Sequence, residues 1–140
     1  MTPEMIATCE RHAVDVMAAA FPAVPVYRSG EAIPKEVSVY VLFYVVPSDE
    51  VFKTGISENS KSRNVGLLQA NVRGPKDQGA GYVGDIAMAL ARGFQRFPIE
   101  VGSEGWCVCR EAATKDMGDD EEEHEYMMRV PYRYDFVFPT

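Results

Sequence analysis

The chain of 140 residues has the length of one domain, and 46% of its residues are hydrophobic, which is enough for a core. Its formal net charge of −7 argues against a protein that grips nucleic-acid backbones, because that function requires clustered lysine and arginine. No apolar run is long enough to predict a membrane-spanning helix. The opening residues, MTPEMIATCE, carry acid where a signal peptide carries basic residues, so we expect no secretory signal and a cytosolic site of synthesis.

The first predicted element is a helix over residues 2–21. Thr2 is a good N-cap, Pro3 fits the first helical turn, and Glu4 suits the positive end of the helix dipole. Pro22 ends the helix. Apolar residues recur at helical spacing and predict the buried stripe Met5, Cys9, Ala13, Val16, Met17 and Ala20.

Two strands joined by a long connection are predicted next. Residues 36–46 are apolar on both faces, which predicts a strand covered on both sides, either by the protein itself or by a partner subunit. Residues 47–62 are polar and unpatterned, and we interpret them as a long loop or arm. Residues 63–73 form the second strand, antiparallel to the first.

The second half of the chain predicts one more helix and two more strands. The helix covers about residues 81–97, and an extended segment, 104–113, leads into an acidic turn at 114–123. From His124 onward apolar and polar residues alternate more regularly than anywhere else in the chain. Pro131 lies on the polar side of this strand, which predicts an edge position or a bulge. The apolar stripe of the helix is Tyr82, Ile86, Leu90 and Phe94.

Taken in order, these elements give α-β-β-α-β-β. We predict a single α+β domain over residues 1–140, with a mostly antiparallel sheet of about four to five strands and two helices packed on it.

The stretch GAGYVG, Gly79–Gly84, has the G-x-G-x-x-G spacing of dinucleotide-binding loops. In such loops a strand leads directly into the first glycine, and the helix N-terminus meets the pyrophosphate. Here the residues RGPKDQ separate the predicted strand from Gly79, and the segment around Glu100 is too short and broken for the required parallel strand. We therefore interpret the glycines as the entry to a closely packed helix. A small nucleotide-binding enzyme using Gly79–Gly84 and Glu100 is the enzymatic alternative.

The residues that usually carry catalysis or bind metal form no known constellation. Cys107 and Cys109 share one face of a predicted strand, and together with Cys9, His12 and His124 they lack the spacing of a zinc site. The run DDEEEHE lacks the spacing of a calcium loop and is interpreted as a solvated turn. The residues therefore indicate no active site, and they predict no cofactor or metal site.

The segment GLLQANVRGP, a short Gly-rich loop and the segment GYVGDIAMALARGF together carry a resemblance. This part of the chain, residues 63–97, resembles the tail terminator proteins of long-tailed phages, also called tail completion or minor tail proteins. The acidic turn is not part of the family pattern. The matching positions are Arg63, Gly66, Gln69, Val72, Pro75, Gly79, Ile86, Ala87 and Phe94.

The resemblance implies a structural virion protein that forms a ring, commonly hexameric, on the phage tail tube. The ring ends tube polymerisation and offers its other surface to the head-tail connector. Its partners are then other copies of itself, the tail tube protein and the connector protein, in the tail or neck of a virion assembled in the host cytoplasm. DNA passes through without specific binding, and no membrane is involved. Another head-tail neck or completion protein is the alternative within this class.

The resemblance also directs attention to two sets of residues. A ring of six chains, each of charge −7, would carry −42, and a negative lumen would let DNA slide without sticking. The candidates for this lumen are Asp119, Asp120, Glu121, Glu122 and Glu123, or alternatively the loop from Asp49 to Glu58. The candidates for the subunit or tube interface are Tyr40, Leu42, Tyr44, Val51, Phe52, Lys53 and Arg63.

Overall fold

The computed structural model describes residues 3–28, 30–54, 61–76, 79–95, 99–101, 105–120 and 122–137. Its helices are α1 (Pro3–Ala20) and α2 (Gly79–Gln95). Its strands are β1 (Val26–Arg28), β2 (Tyr40–Thr54), β3 (Lys61–Pro75), β4 (Ile99–Val101), β5 (Gly105–Cys109), β6 (Ala113–Asp119) and β7 (Glu123–Val137).

The strands form one seven-stranded sheet in the order β1-β2-β3-β7-β5-β4, and β6 pairs with β7. Only the β1–β2 pair is parallel among the described strands; the others are antiparallel. The predicted α+β class, with two helices on a largely antiparallel sheet, is confirmed. The predicted strand count was too low, because three short strands, β1, β4 and β6, lack a clear apolar alternation. The sheet is mixed because β1 pairs with β2 in parallel.

Three long strands form the centre of the sheet. β2, β3 and β7 have 15 residues each, and β3 pairs with β7 along its whole length, from Lys61↔Val137 to Pro75↔Glu123. The strand β7 also pairs with β5 near one end and with β6 near the other, so it is flanked on both sides. The predicted alternation in this strand is confirmed, because Met128, Val130, Tyr132 and Tyr134 are all buried.

The core lies between the two helices and one face of the sheet, which we call the inner face. α1 contributes the buried residues Met5, Cys9, Ala13 and Met17, as its spacing predicts. In α2 the buried residues are Val83, Ile86, Ala87, Leu90, Ala91 and Phe94, whereas Tyr82 is 37% exposed and does not belong to the buried stripe. The helices pass close to each other, since a Cβ on Gly93 would lie 2.5 Å from a methyl group of Val16. The two aromatic rings at the centre, Phe43 and Phe94, stack with centroids 5.5 Å apart.

Pro131 is accommodated by a break in the neighbouring strand. The prediction of an edge position was wrong, because β7 lies between β3 and the β5–β6 side. In an antiparallel ladder the N–H and C=O of one residue point to the same side. The carbonyl of Pro131 accepts a bond from Arg110 N, in the gap between β5 and β6. The nitrogen of the proline, which carries no hydrogen, therefore faces that gap, and no backbone hydrogen bond between β7 and β3 is lost at this residue.

The predicted loop at residues 47–62 is mostly strand. β2 continues to Thr54 and β3 begins at Lys61, and these ends pair with each other beyond a bulge between Pro47 and Val51. The loop prediction was wrong for these residues because a ribbon of polar side chains has no apolar alternation to reveal it. Residues 55–60 lie outside the described residues.

The acidic turn predicted at residues 114–123 is shorter in the structure. Residues up to Asp119 belong to β6, which forms a hairpin with β7 and has a bulge between Asp116 and Gly118. Gly118 has a φ of +86°, a conformation that favours glycine. The true turn is therefore confined to the few residues between Asp119 and Glu123.

The three cysteines are free thiols. Cys9 and Cys107 are buried with their Sγ atoms 4.0 Å apart. The hydrogen bond with Cys109 lowers the pKa of Cys107, but the hydrogen bond with Cys9 and burial together outweigh it and raise the pKa. Neither helix of the described chain has the length and apolar character that crossing a membrane requires.

Candidate interaction surface

The second face of the sheet, which we call the outer face, points away from both helices. Side chains alternate along each strand, so the pairing registers assign this face directly. From β2 and β3 it receives Tyr40, Leu42, Tyr44, Val46, Arg63, Val65, Leu67, Gln69, Asn71 and Arg73. From β5, β6 and β7 it receives Trp106, Val108, Ala113, Lys115, Glu125, Met127, Arg129, Pro131, Arg133 and Asp135.

The outer face leaves large apolar side chains in contact with solvent. Trp106 is 51% exposed and Val46 is 40% exposed. Further apolar residues of the face are only half-buried: Leu42, Val65, Leu67, Val108, Met127 and Pro131. Within the described chain, the predicted cover of residues 36–46 is complete only on the inner face of β2, and on the outer face it is partial. Cover of the outer face by a partner subunit, the other alternative, stays a prediction. An apolar sheet face of this kind marks a binding surface more often than an ordinary protein exterior.

A network of polar side chains crosses the middle of the outer face. Gln69 is buried although it lies on this face, because its neighbours cover it. Its Nε2 donates to the hydroxyl of Tyr44 and, over 2.9 Å, to Asn71 Oδ1. Its Oε1 accepts a bond of 2.9 Å from Arg129 Nε. Side chains from β2, β3 and β7 are thereby linked by hydrogen bonds, which hold the side chains of the network in fixed directions.

Most arginines of the outer face have a carboxylate partner. Arg63 binds Asp135 through two hydrogen bonds, of 2.7 and 3.3 Å, and Arg133 Nε lies 3.3 Å from the same carboxylate. Arg73 Nε lies 3.5 Å from Glu125, outside hydrogen-bonding geometry. With Arg129 and Lys115 included, cations outnumber carboxylates on this face, in a chain whose net charge is −7. The surface charge of the molecule is therefore polarised.

Several residues proposed from the sequence as an interface lie on the outer face. Leu42 and Tyr44 are half-buried there. Tyr40 is buried, with its ring packed against Tyr27 and its hydroxyl 3.4 Å from Glu123; burial, followed by the charge of Glu123, raises the pKa of this hydroxyl. Arg63 is engaged with Asp135. The three from the supposed arm, Val51, Phe52 and Lys53, are in β2 and pair with Asn64, Arg63 and Ser62.

Two residues of the outer face, Trp106 on β5 and Arg129 on β7, were not singled out from the sequence, whereas Gln69 on β3 was noted only as a position of the family resemblance. The alternation in β7 places Arg129 on the polar side, but only the register with β3 brings it opposite Gln69. The pairing of strands that are distant in the sequence leaves no local residue pattern, so the sequence alone does not reveal this arrangement.

The acidic turn is a compact structure at the end of the β6–β7 hairpin. Asp120 Oδ1 accepts bonds from the backbone N–H groups of Glu123 and Glu122, at 2.7 and 2.9 Å, and these bonds lower the pKa of Asp120. Asp119 contacts His124 and Glu123 contacts Tyr40. Glu122 is exposed, with no side-chain bond among the described residues, and Glu121 lies outside them.

His124 is held between two carboxylates of β6. Its Nδ1 is hydrogen-bonded to Asp119, and its Nε2 lies 2.7 Å from Asp116 Oδ1 in a contact that is ionic without hydrogen-bonding geometry. Asp116 also accepts a bond from Gly118 N. The bond to Asp119, aided by the charge of Asp116, raises the pKa of His124 above its usual 6.5 against the opposing effect of burial.

This geometry predicts that the hairpin is more stable in mild acid. A histidine whose pKa is raised on folding contributes stability that is fully present below pH 6.5 and is lost as the pH rises through the folded-state pKa. Both aspartates are about half exposed, so solvent screens the effect and it will be small. Urea unfolding between pH 5.5 and 8.5 is expected to show a decline for the wild type that His124→Gln lacks. An NMR titration giving His124 a pKa at or below 6.5 would contradict the arrangement.

The glycine stretch Gly79–Gly84 does not form a nucleotide cradle. Its residues are the first two turns of α2, and both strands that pair with β3 run antiparallel to it. A dinucleotide loop requires a parallel β-α-β unit at that point. β3 extends to Pro75, so fewer residues than predicted separate it from Gly79. The antiparallel topology, and not the length of this spacer, therefore excludes the dinucleotide-binding motif. Glu100 lies on β4, opposite Trp106.

One concave feature of the molecule is lined mainly by apolar and aromatic side chains. An open groove of about 820 Å³ lies between β1, the segment before β2 and α2, and its lining includes Tyr27, Val37, Val39 and Tyr82 with a single carboxylate, Glu36. Among the described residues, no three His, Cys, Asp or Glu side chains come close enough together to hold a metal ion.

Comparison with known proteins identifies the fold. No protein-family model matches the chain, and no curated protein matches it. A solved structure that carries only a sequence identifier superimposes with a TM-score of 0.72 at 21% identity, over 96% of this chain and 94% of the other. A second, from the virion of a native gene transfer agent (GTA) particle, superimposes with a TM-score of 0.55 at 10% identity, over 95% and 94% of the two chains. At these identities the likeness is one of fold.

Proposed function

We propose that the protein is a structural component of a phage-type virion. The observation that carries this proposal is the fold likeness to a chain of the GTA virion, a phage-like particle, over 95% of the present chain. The likeness includes nearly the whole of both chains, so it concerns the complete arrangement of sheet and helices and not one shared motif. The outer face supports the same conclusion, because an assembling protein needs an apolar surface for its neighbours.

Within that class we propose the role of tail terminator: a ring, of six copies by analogy, that caps the tail tube and joins it to the head connector. The support is the resemblance over residues 63–97, whose positions serve the fold. Ile86, Ala87 and Phe94 are buried in the core, and Gln69 holds the network of the outer face. Residues at such positions maintain the fold and its outer face, as expected for a structural protein. The role requires no cofactor.

The outer face is the proposed contact surface of this role. It combines exposed Trp106, half-buried aliphatic residues and arginines, the residue types enriched where proteins bind each other. Sites for other copies, for the tube protein and for the connector can share it with the rims of the sheet. A lumen lined by the acidic turn, through which DNA passes without specific binding, stays a prediction from the sequence.

The proposal predicts that the purified protein assembles or binds tail tubes. Light scattering and negative-stain microscopy, with and without tubes of a long-tailed phage or GTA, are expected to show rings or capped tube ends. A different neck protein would form rings that bind the connector and leave tube ends bare. A monomer that binds neither tubes nor connector would contradict the proposal.

Substitution of Trp106 tests whether the outer face is the contact surface. Trp106→Ala is expected to weaken assembly by roughly 30-fold, the effect of losing about 2 kcal/mol at an interface hot spot. Met88→Ala is the matched control, since Met88 is a large apolar residue, 39% exposed, on the helix side of the molecule. Equal assembly of both variants, measured by sedimentation, would remove the outer face from the proposal.

A further inference from the structure

Arg129 differs from the other arginines of the outer face. It is exposed and, among the described residues, has no ion pair, whereas Arg63, Arg73 and Arg133 each face a carboxylate. Its Nε is bound to Gln69, which is itself fixed by Tyr44 and Asn71. The guanidinium is thus held in one direction while its terminal amino groups make no bond within the described chain. A cation oriented in advance binds a partner carboxylate with less loss of entropy.

The surroundings of Arg129 suit a protein partner better than a nucleic acid. Its neighbours on the face include the apolar residues Ala113, directly opposite on β6, and Leu67 and Pro131, which pair beside it; the polar neighbours are Gln69, Asn71 and Lys115. Apolar area around a fixed arginine is the composition of a protein-binding hot spot. The partner expected from this chemistry presents a carboxylate on a projecting element.

The chain itself offers such an element in the acidic turn of the β6–β7 hairpin. Acids occupy every position from Asp119 to Glu123. Asp119 and Asp120 have partners within the hairpin and Glu123 contacts Tyr40 of β2, which leaves Glu122 as the exposed carboxylate of the described turn without a side-chain bond. Opposite charges on two regions of one molecule favour the association of identical copies.

We infer that the outer face around Arg129 receives the acidic turn of a second copy of this chain, with Glu122 opposite Arg129. The inference rests on the self-association proposed above, and it gives Glu122 a contact role in place of a position on the lumen. Within one chain the pair cannot meet, because seven residues of extended strand separate Glu122 from Arg129 by roughly 23 Å.

The proposed contact joins two different regions of the chain, the turn of one copy and the outer face of another. A head-to-tail arrangement of such contacts closes into a ring when the rotation allows and otherwise extends into a filament. Two copies can also exchange the same contact about a two-fold axis, which gives a closed dimer. The head-to-tail arrangement is the one that agrees with the ring of the proposed function, and a covalent dimer without larger species would contradict it.

Disulfide trapping tests the contact directly. A chain carrying both Glu122→Cys and Arg129→Cys, oxidised with diamide, is expected to give a ladder of covalent species larger than a dimer. Each single variant has one engineered thiol and can give at most a covalent dimer through it. The mismatched control joins Arg129→Cys with Val14→Cys, since Val14 is 47% exposed on α1, and should give no ladder. The wild type reports any contribution from the native thiols, of which Cys9 and Cys107 are buried.

Exchange of the two charges provides an independent readout. Arg129→Glu and Glu122→Arg are each expected to weaken self-association by roughly tenfold or more, and the combination to restore it largely, as for a direct charge pair. Circular dichroism checks that each variant is folded. Loss of tube binding by Arg129→Glu with unchanged self-association would assign the face to another protein and overturn the inference.

The outcomes separate this inference from the proposed function. Wild-type rings without a ladder, and without restoration in the double variant, would overturn the contact and leave the proposed function standing. A wild type that remains monomeric and binds no tubes would overturn both.

Discussion

Replacing Phe94 with alanine is expected to lower the free energy of unfolding by about 3–5 kcal/mol. The side chain is fully buried at the junction of the two helices and the sheet. It stacks on Phe43 of β2, and its edge meets the ring of His12 from α1 at 4.8 Å between centroids. Alanine leaves a cavity that three different elements would have to fill by moving together, so little relaxation is available. Urea denaturation with a linear extrapolation measures the loss.

The control for this substitution lies on the same helix. Met88→Ala removes an exposed side chain and is expected to change stability by less than about 1 kcal/mol. If Phe94→Ala costs no more than this control, then the helix is not packed on the sheet as described. A loss near the upper value would take much of the stability of a domain this size, so the variant is best measured at low temperature.

Replacing Gly66 with alanine is expected to cost about 3 kcal/mol, because the added methyl group has no space. Its Cβ would lie 2.5 Å from the carbonyl oxygen of Val46 and 2.7 Å from the hydroxyl of Tyr132. The first contact is with the backbone of the paired strand β2, which cannot retreat without stretching the ladder. The ring of Tyr132 covers the glycine and would also have to move. Thermal and urea unfolding both measure the effect.

Two further variants separate steric conflict from the general cost of changing a glycine. Gly81→Ala, where nothing lies within 4 Å, is expected to stabilise α2 by about 0.5–1 kcal/mol. Tyr132→Phe combined with Gly66→Ala removes the hydroxyl contact but keeps the contacts with Val46 and with the ring. Because Tyr132→Phe also loses the hydrogen bond to buried Asn64, the double variant is compared with Tyr132→Phe alone, and the cost of the added methyl group should fall only in part. Full recovery would mean that the strand backbones are not the source of the conflict.

The parts of the fold that could be predicted from the sequence are those with a local period. α1 was predicted to within a residue at its end because Met5, Cys9, Ala13 and Met17 recur at helical spacing. β7 was predicted for the same reason, with alternation in place of the helical period. β6 was missed because its residues are mostly exposed, so neither face has an apolar signature.

The candidate surface could be predicted only in part. Leu42 and Tyr44 were chosen correctly as residues of a second apolar face, since alternation assigns faces without knowledge of partners. The fixed direction of Arg129 depends on pairing β3 with a strand about sixty residues later in the chain. Pro131 shows the same limit, because its position can be explained only once the gap between β5 and β6 is known.

β7 completes both the sheet and the outer face. Among the described strands it is synthesised last, yet it occupies the middle of the sheet, between β3 and the pair β5 and β6. Until it is inserted, the nascent chain has two separate sheet fragments, and β3 has a long unpaired edge. Pro131, Arg129 and Arg133 arrive on the same strand, so the surface proposed for assembly does not exist before the sheet closes. If the protein assembles as proposed, an unfinished chain would lack this contact surface, because the strand that completes the sheet also completes the surface.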